Sequence, residues 1–146
     1  MQSYIGVKLV DAKPMTLGDY NQYRGWTIPS DEDPQKEGYL VQYEDGYESW
    51  CPKENFETHN RPTTGMPFGH AIEAARAGKK IARLGWNGVG IFLELQSPDA
   101  HSKMTHPYLF IDTTGLLTDN PDAPKDRVPW LASQTDMLSD DWFIVE

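Results

Sequence analysis

The sequence predicts an α+β fold of antiparallel sheet and short helices, arranged in two small units. Three observations carry that expectation. Strand-like and helix-like segments do not alternate regularly, as a parallel α/β chain would require. Tight turn sequences separate β-branched and aromatic runs at Glu44-Asp45-Gly46 and again between Gly85 and Gly90. The stretch from Glu57 to Pro67 has few large apolar residues and many turn formers, so it reads as a linker. A boundary near residue 62 follows, with units 1–62 and 63–146.

In the first unit, Tyr4 to Val10 is β-branched and aromatic and predicts a strand. Thr16 and Asp19 have the spacing of a capping box, with Asp in place of Glu. The short helix they open would carry Tyr20 and Tyr23 on one face and stop at Gly25. Tyr39, Val41 and Tyr43 alternate with Leu40 and Gln42, and Gly46 turns the chain into Tyr47 to Cys51, a hairpin pattern. Pro52 suits the start of a closing helical turn through Phe56.

The second unit opens with Phe68, Ala71, Ile72 and Ala75 on one face of a helix that begins about Pro67 and ends at Gly78. Lys80 to Leu84 and Ile91 to Leu95 predict two antiparallel strands joined by a glycine-rich turn. Tyr108 to Asp112 and Leu116-Leu117 flank Thr-Thr-Gly and predict a second hairpin, followed by a surface loop through Pro121 and Pro124. Ser133 caps a short helix with Asp136 at its third position, and Trp142 to Val145 supplies a last strand.

Composition sets the boundaries of function. Of 146 residues, 38% are hydrophobic and 12% aromatic, which is core material and not that of a disordered acidic tail. Thirteen basic against 22 acidic residues give a net charge of −9, so a phosphate-coating DNA or RNA binder, which needs a basic face, is not expected. The acidity is shared: 6 basic and 11 acidic residues before position 63, then 7 and 11 after it. No apolar run approaches the roughly 20 residues of a membrane span, and the opening Met1-Gln2-Ser3-Tyr4 is not that of a signal peptide, so no membrane partner is expected and the cytoplasm is the expected compartment. Cys51 stands alone, which precludes an intrachain disulfide and a Cys-rich zinc cage.

Catalytic patterns are sparse. His59, His70, His101 and His106 include no pair at helical spacing, and the carboxylates sit at no familiar metal spacing. Asp136, Asp140 and Asp141 could hold a cation, although a helix-capping carboxylate beside a solvated acidic turn accounts for them. Ser133 lacks a nucleophile elbow, and Cys51 has no basic neighbour in sequence. Neither metal nor cofactor is expected.

The run Arg83-Leu84-Gly85-Trp86-Asn87-Gly88 is more informative. Glycine admits a ligand close to the backbone, tryptophan offers a flat face, asparagine both donates and accepts, and arginine forks onto phosphate. A plain type I′ hairpin at Asn87-Gly88, with Trp86 in the core, explains the same residues. Lys79 and Lys80 add positive charge before Arg83, and also suit a helix C-terminus. The segment from Val128 to Asp136 places a tryptophan before a helix N-terminus with hydroxyl and amide groups, fit either for phosphate and ribose or for a capped structural helix.

Several longer strings are similar to a known family. Phe68-Gly69-His70-Ala71-Ile72-Glu73-Ala74, Gly78 through Gly88, Pro107-Tyr108, Pro129-Trp130-Leu131-Ala132-Ser133-Gln134-Thr135-Asp136-Met137-Leu138 and Asp141-Trp142 resemble the second type of phage Thoeris anti-defence protein, over about residues 66–146. The resemblance implies a sponge and not an enzyme. Such proteins bind the cyclic ADP-ribose isomer made by bacterial TIR-domain proteins and withhold it, intact, from the NAD-degrading effector. Some also bind cyclic dinucleotides of the CBASS system. They assemble as homotetramers with pockets between protomers. Tyr20 to Trp26, Glu37 to Val41 and Ser49 to Lys53 resemble an N-terminal extension of some phage relatives, for which no role is implied.

On this footing the expected pocket comprises Arg83, Trp86, Asn87, Trp130, Gln134, Thr135 and Asp136. The tryptophans would stack, Arg83 would meet phosphate, and the amides and Asp136 would meet base or ribose. Two other readings compete. One is an acidic interaction module that inhibits a host protein directly through first-unit aromatics. The other is a nucleotide hydrolase working through its carboxylates.

Overall fold

The computed structural model describes residues 1–146, which divide into two compact units, Met1–Arg61 and Pro62–Glu146. Two antiparallel sheets, of three and five strands, and four short helices make an α+β fold.

In the first unit β1 (Asp11–Pro14), β2 (Gly38–Gln42) and β3 (Glu48–Pro52) form a sheet in that order. The β2–β3 hairpin turns at Gly46, whose φ of 85° favours glycine, and its register pairs Gly38 with Pro52 and Gln42 with Glu48. Helix α1 (Leu17–Arg24) starts where Thr16 Oγ1 accepts the Asp19 N–H at 3.2 Å, and Gly25 ends it at φ 73°. Its Tyr20 is buried with Leu40 and Val41 while Tyr23 stays exposed. Helix α2 (Lys53–His59) follows Pro52 and runs on for two turns, and its Phe56 stacks on Tyr39 at 4.2 Å.

The strand expected at Tyr4 to Val10 is absent, and Tyr4 and Ile5 are 85% and 99% exposed. The polar Asp11–Pro14 takes the sheet edge instead. Amides of Met15, Leu17 and Gly18 donate to the carbonyls of Gly38, Lys36 and Pro34, all at 2.9 Å, and this return path holds residues 11–14 opposite residues 39–42. Edge position also tolerates Pro14, which has no N–H to contribute.

In the second unit α3 (Phe68–Arg76) buries Ala71 and Ala75 and ends before Gly78, φ 87°. The sheet that follows comprises β4 (Lys80–Arg83), β5 (Phe92–Gln96), β6 (Tyr108–Asp112), β7 (Arg127–Pro129) and β8 (Trp142–Val145), in spatial order β7-β6-β5-β4-β8. Met66, Ala71, Ala75, Ile81, Leu93 and Trp142 form the core. A bridge from Met66 to Trp142 covers part of the far side of β8.

The hairpin expected between Tyr108–Asp112 and Leu116-Leu117 is replaced by another pairing. β6 pairs with β5 and β7, while the Leu117 amide donates to the Val89 carbonyl at 2.9 Å. That bond ties the 113–117 turn to the glycine-rich turn, and Leu116-Leu117 is thereby diverted from the sheet. Within the latter turn Gly90, φ 88°, takes the left-handed conformation and Asn87-Gly88 does not, so no type I′ turn forms there.

Candidate functional site

Helix α4 (Gln134–Leu138) is nucleated by a reciprocal capping box. The Asp136 N–H donates to Ser133 Oγ and the Ser133 N–H donates to Asp136 Oδ2, both at 3.0 Å. Asp136 therefore keeps one oxygen, Oδ1, for the rest of the unit. Onto that atom Arg83 Nη1 donates at 2.8 Å and Trp86 Nε1 at 3.1 Å. The backbone carbonyl of the same residue accepts the buried Trp142 Nε1 at 2.8 Å.

The β4–β8 register pairs Arg83 with Trp142, which brings the preceding Asp141 beside the guanidinium. Arg83 Nε donates to Asp141 Oδ1 at 2.8 Å and Nη2 donates to Oδ2 at 3.4 Å. The Gly85 N–H reaches Asp141 Oδ2 at 2.8 Å, so this carboxylate grips the strand end and the turn together. Arg83 is 11% exposed at its side chain, and its fork closes on two carboxylates of its own chain.

These bonds shape the electrostatics. Burial raises the Asp136 carboxyl, but the Ser133 N–H, the Arg83 guanidinium, the Trp86 indole and the Ser133 hydroxyl outweigh it and bring the pKa from 3.8 to about 2. Asp141 is lowered too, chiefly by Arg83. Arg83 is raised, first by its bond to Asp141. The site is an ionised arginine–dicarboxylate cluster at neutral pH.

Beside it stands an aromatic wall. Trp86 and Trp130 have ring centroids 6.3 Å apart, and Trp142 sits edge-on to both at 5.4 and 6.0 Å. Phe68 closes the group at 6.1 Å from Trp130 and 5.2 Å from Trp142. Trp142 is wholly buried, whereas Trp86 and Trp130 are half-buried.

Of the seven residues expected to form a pocket, Arg83, Trp86, Trp130 and Asp136 are brought into this one assembly. Asn87, Gln134 and Thr135 follow on in sequence as exposed positions. Arg83 and Asp136, expected to meet phosphate and base or ribose, are engaged with each other and with Trp86. Asp136 and Asp141 thus hold Arg83 itself, and the exposed Asp140 takes no part. Sequence reasoning missed Asp141 as the second partner of Arg83. The available signal was its position just before the strand at Trp142, on the far side of a long sequence gap.

Two clefts of the chain lie elsewhere. One, of about 450 Å³, is lined in the first unit by Leu17, Tyr20, Asn21, Trp26, Pro29, Glu32 and Trp50 among others. The other, of about 370 Å³, lies between Gln96 and Tyr108. Neither has Trp86 or Trp130 in its lining. Cys51 is half-buried, and burial raises its thiol above the ordinary value, which leaves little thiolate for nucleophilic chemistry.

The whole arginine–carboxylate–indole assembly lies within residues 66–145, which match the family described as the Thoeris anti-defense 2-like domain. Over 86 residues the chain is 36% identical to the protein named Thoeris anti-defense 2 of Bacillus phage SP01. That alignment takes in 56% of this chain and 97% of the phage protein.

Proposed function

The chain belongs to the Thoeris anti-defense 2-like family, and from that premise we propose that its second unit is a sponge for a TIR-derived cyclic ADP-ribose isomer, the glycocyclic form. Family membership supports a phage anti-Thoeris role. Sequestration without cleavage is the mechanism by which we propose that it acts, in the cytoplasm of the infected host. No helix is long and apolar enough to cross a membrane.

One observation carries the reading: the half-buried Trp86 and Trp130, 6.3 Å apart, with Asp136 fixing the Trp86 ring. Rings held in place before a ligand arrives lose little freedom when it stacks on them. Asn87, Gln134 and Thr135 are exposed beside these elements with their side chains unpaired, and in this reading they supply hydrogen bonds to base or ribose. Arg83 and Asp136 become positioning residues. Trp86 keeps its direction because Asp136 is fixed on one side by the Ser133 cap and on the other by Arg83.

A stoichiometric sponge must bind near the nanomolar range, about 12 kcal/mol. A shallow face of one small unit lacks the walls for such affinity, so the proposal includes a homo-oligomer, a tetramer, whose copies close the niche between them. Leu131, ahead of α4, and Leu138, its last residue, 91% and 79% exposed, are the apolar surface that favours such an assembly. The acidic surface repels an anion at long range, so local donors must set the affinity.

The test is to incubate the protein with the cyclic ADP-ribose isomer, heat it, and analyse what is released. Intact ligand recovered from denatured protein supports a sponge; an altered product means an enzyme, and no bound ligand removes the proposal. The same protocol with CBASS cyclic dinucleotides decides whether they bind as well.

A further inference from the structure

We infer that the first unit carries a binding site of its own, a cleft that accepts the lysine or arginine side chain of a partner polypeptide. The cleft, about 450 Å³, falls in the size range of small-ligand sites, roughly 300 to 1,000 Å³. Its chemistry is aromatic and accepting. Trp26 is 57% exposed and stands edge-on to Tyr20 at 5.8 Å. Asn21 is only 5% exposed, and its one side-chain hydrogen bond is the donation of Nδ2 to Glu32 Oε2 at 3.4 Å, so its carbonyl oxygen remains free as an acceptor.

Charge selects among the ligands that aromatic walls attract. Glu32 is the one charged residue in the lining, and Asp31 and Asp33 flank it in sequence. The unit holds 6 basic and 11 acidic residues. A phosphate-bearing ligand is repelled there. A neutral apolar one would leave the carbonyl oxygen of the buried Asn21 side chain unmatched. Lysine and arginine bring donors without acceptors, plus an aliphatic stem and a cation that aromatic faces attract. Arg24 lies over Tyr20 and Trp26 at 5.5 Å from outside the cleft lining, so a ligand cation must meet Glu32 and the exposed part of Trp26 and not the ring faces that Arg24 covers.

The experiment titrates the full chain with three capped tripeptides, Ala-Lys-Ala, Ala-Arg-Ala and Ala-norleucine-Ala, and with AMP, following the indole N–H resonance of Trp26 by NMR. The lysine and arginine peptides are expected to shift that resonance saturably and to bind at least tenfold more tightly than the norleucine peptide. Glu32→Gln, at an exposed position, is expected to keep the melting temperature and lower their affinity about tenfold, while Trp26→Ala, followed through the indole N–H of Trp50 in the same lining, is expected to abolish binding. Equal affinity for norleucine, indifference to Glu32→Gln, or a stronger response to AMP would overturn the inference.

Discussion

Trp86 donates its indole proton to Oδ1 of Asp136 at 3.1 Å, across 50 residues of sequence. The oxygen it meets is the one that also takes Arg83 Nη1. A single carboxylate thus joins a helix cap, a strand end and the glycine-rich turn. The bearing of Trp86 is set by this junction.

Removing that carboxylate should therefore cost stability before it touches any ligand. Asp136→Ala leaves the guanidinium of Arg83, at 11% exposure, with Asp141 alone and strips the indole of its acceptor. Breaking such a pair costs about 3 kcal/mol, and a melting temperature lower by on the order of 10–20 °C is expected by circular dichroism. A shift below about 2 °C would mean that the cluster does not hold the unit together.

Acid should dissolve the same junction. Asp136 and Asp112 both titrate at about 2 in the fold against 3.8 ordinarily, Asp112 first through its bond to the Thr114 hydroxyl, against its burial, and then through the Thr114 N–H and Arg127. A lowered carboxyl contributes stability above its unfolded pKa and loses it as pH falls through the folded one. Each shift corresponds to roughly 2 kcal/mol, so stability should be flat from pH 7 to about 5 and fall between about 4 and 2. Urea midpoints at stepped pH measure this, and Asp136→Asn should flatten part of the slope.

Two glycines should respond in opposite directions to alanine. Gly90 has φ 88°, and a Cβ there would lie 2.2 Å from the Gly115 carbonyl oxygen, so Gly90→Ala should destabilise by about 2 kcal/mol or more. Gly69 lies in α3 with open space around its Cβ direction, so Gly69→Ala should stabilise by about 0.5–1 kcal/mol. Denaturant unfolding of the two variants checks the contrast.

Binding and folding should separate at Asn87. Its side chain is exposed and makes no bond within the chain, so Asn87→Ala should melt within about 1 °C of the parent. If the sponge reading holds, calorimetry should find the cyclic ADP-ribose isomer bound at least tenfold more weakly, the equivalent of about 1.4 kcal/mol. Unchanged affinity would move the ligand away from this turn.

The proposed assembly is open to direct measurement. Leu131→Asp with Leu138→Asp places charge on two side chains that are 91% and 79% exposed and that no core depends on. Native mass spectrometry should show a tetramer for the parent and smaller species for the double variant, each chain still folded. A monomeric parent at micromolar concentration would dismiss the shared niche.

What the sequence determined by itself was local. The Thr16–Asp19 and Ser133–Asp136 caps, the period of Phe68, Ala71, Ile72 and Ala75, and the turn at Gly46 are each decided within a few residues, where spacing fixes which groups meet. Tertiary structure decided the partners. Tyr4 to Val10 has strand composition yet pairs with nothing, because backbone bonds at residues 15–18 hold Asp11–Pro14 against β2. Leu116-Leu117 lost its hairpin to a bond at Val89. Arg83 found Asp136 and Asp141 at separations of 53 and 58 residues, through the β4–β8 register. Spacing alone cannot reveal such a pair, since Coulombic attraction and buried hydrogen bonds act only once the strands have brought the groups together.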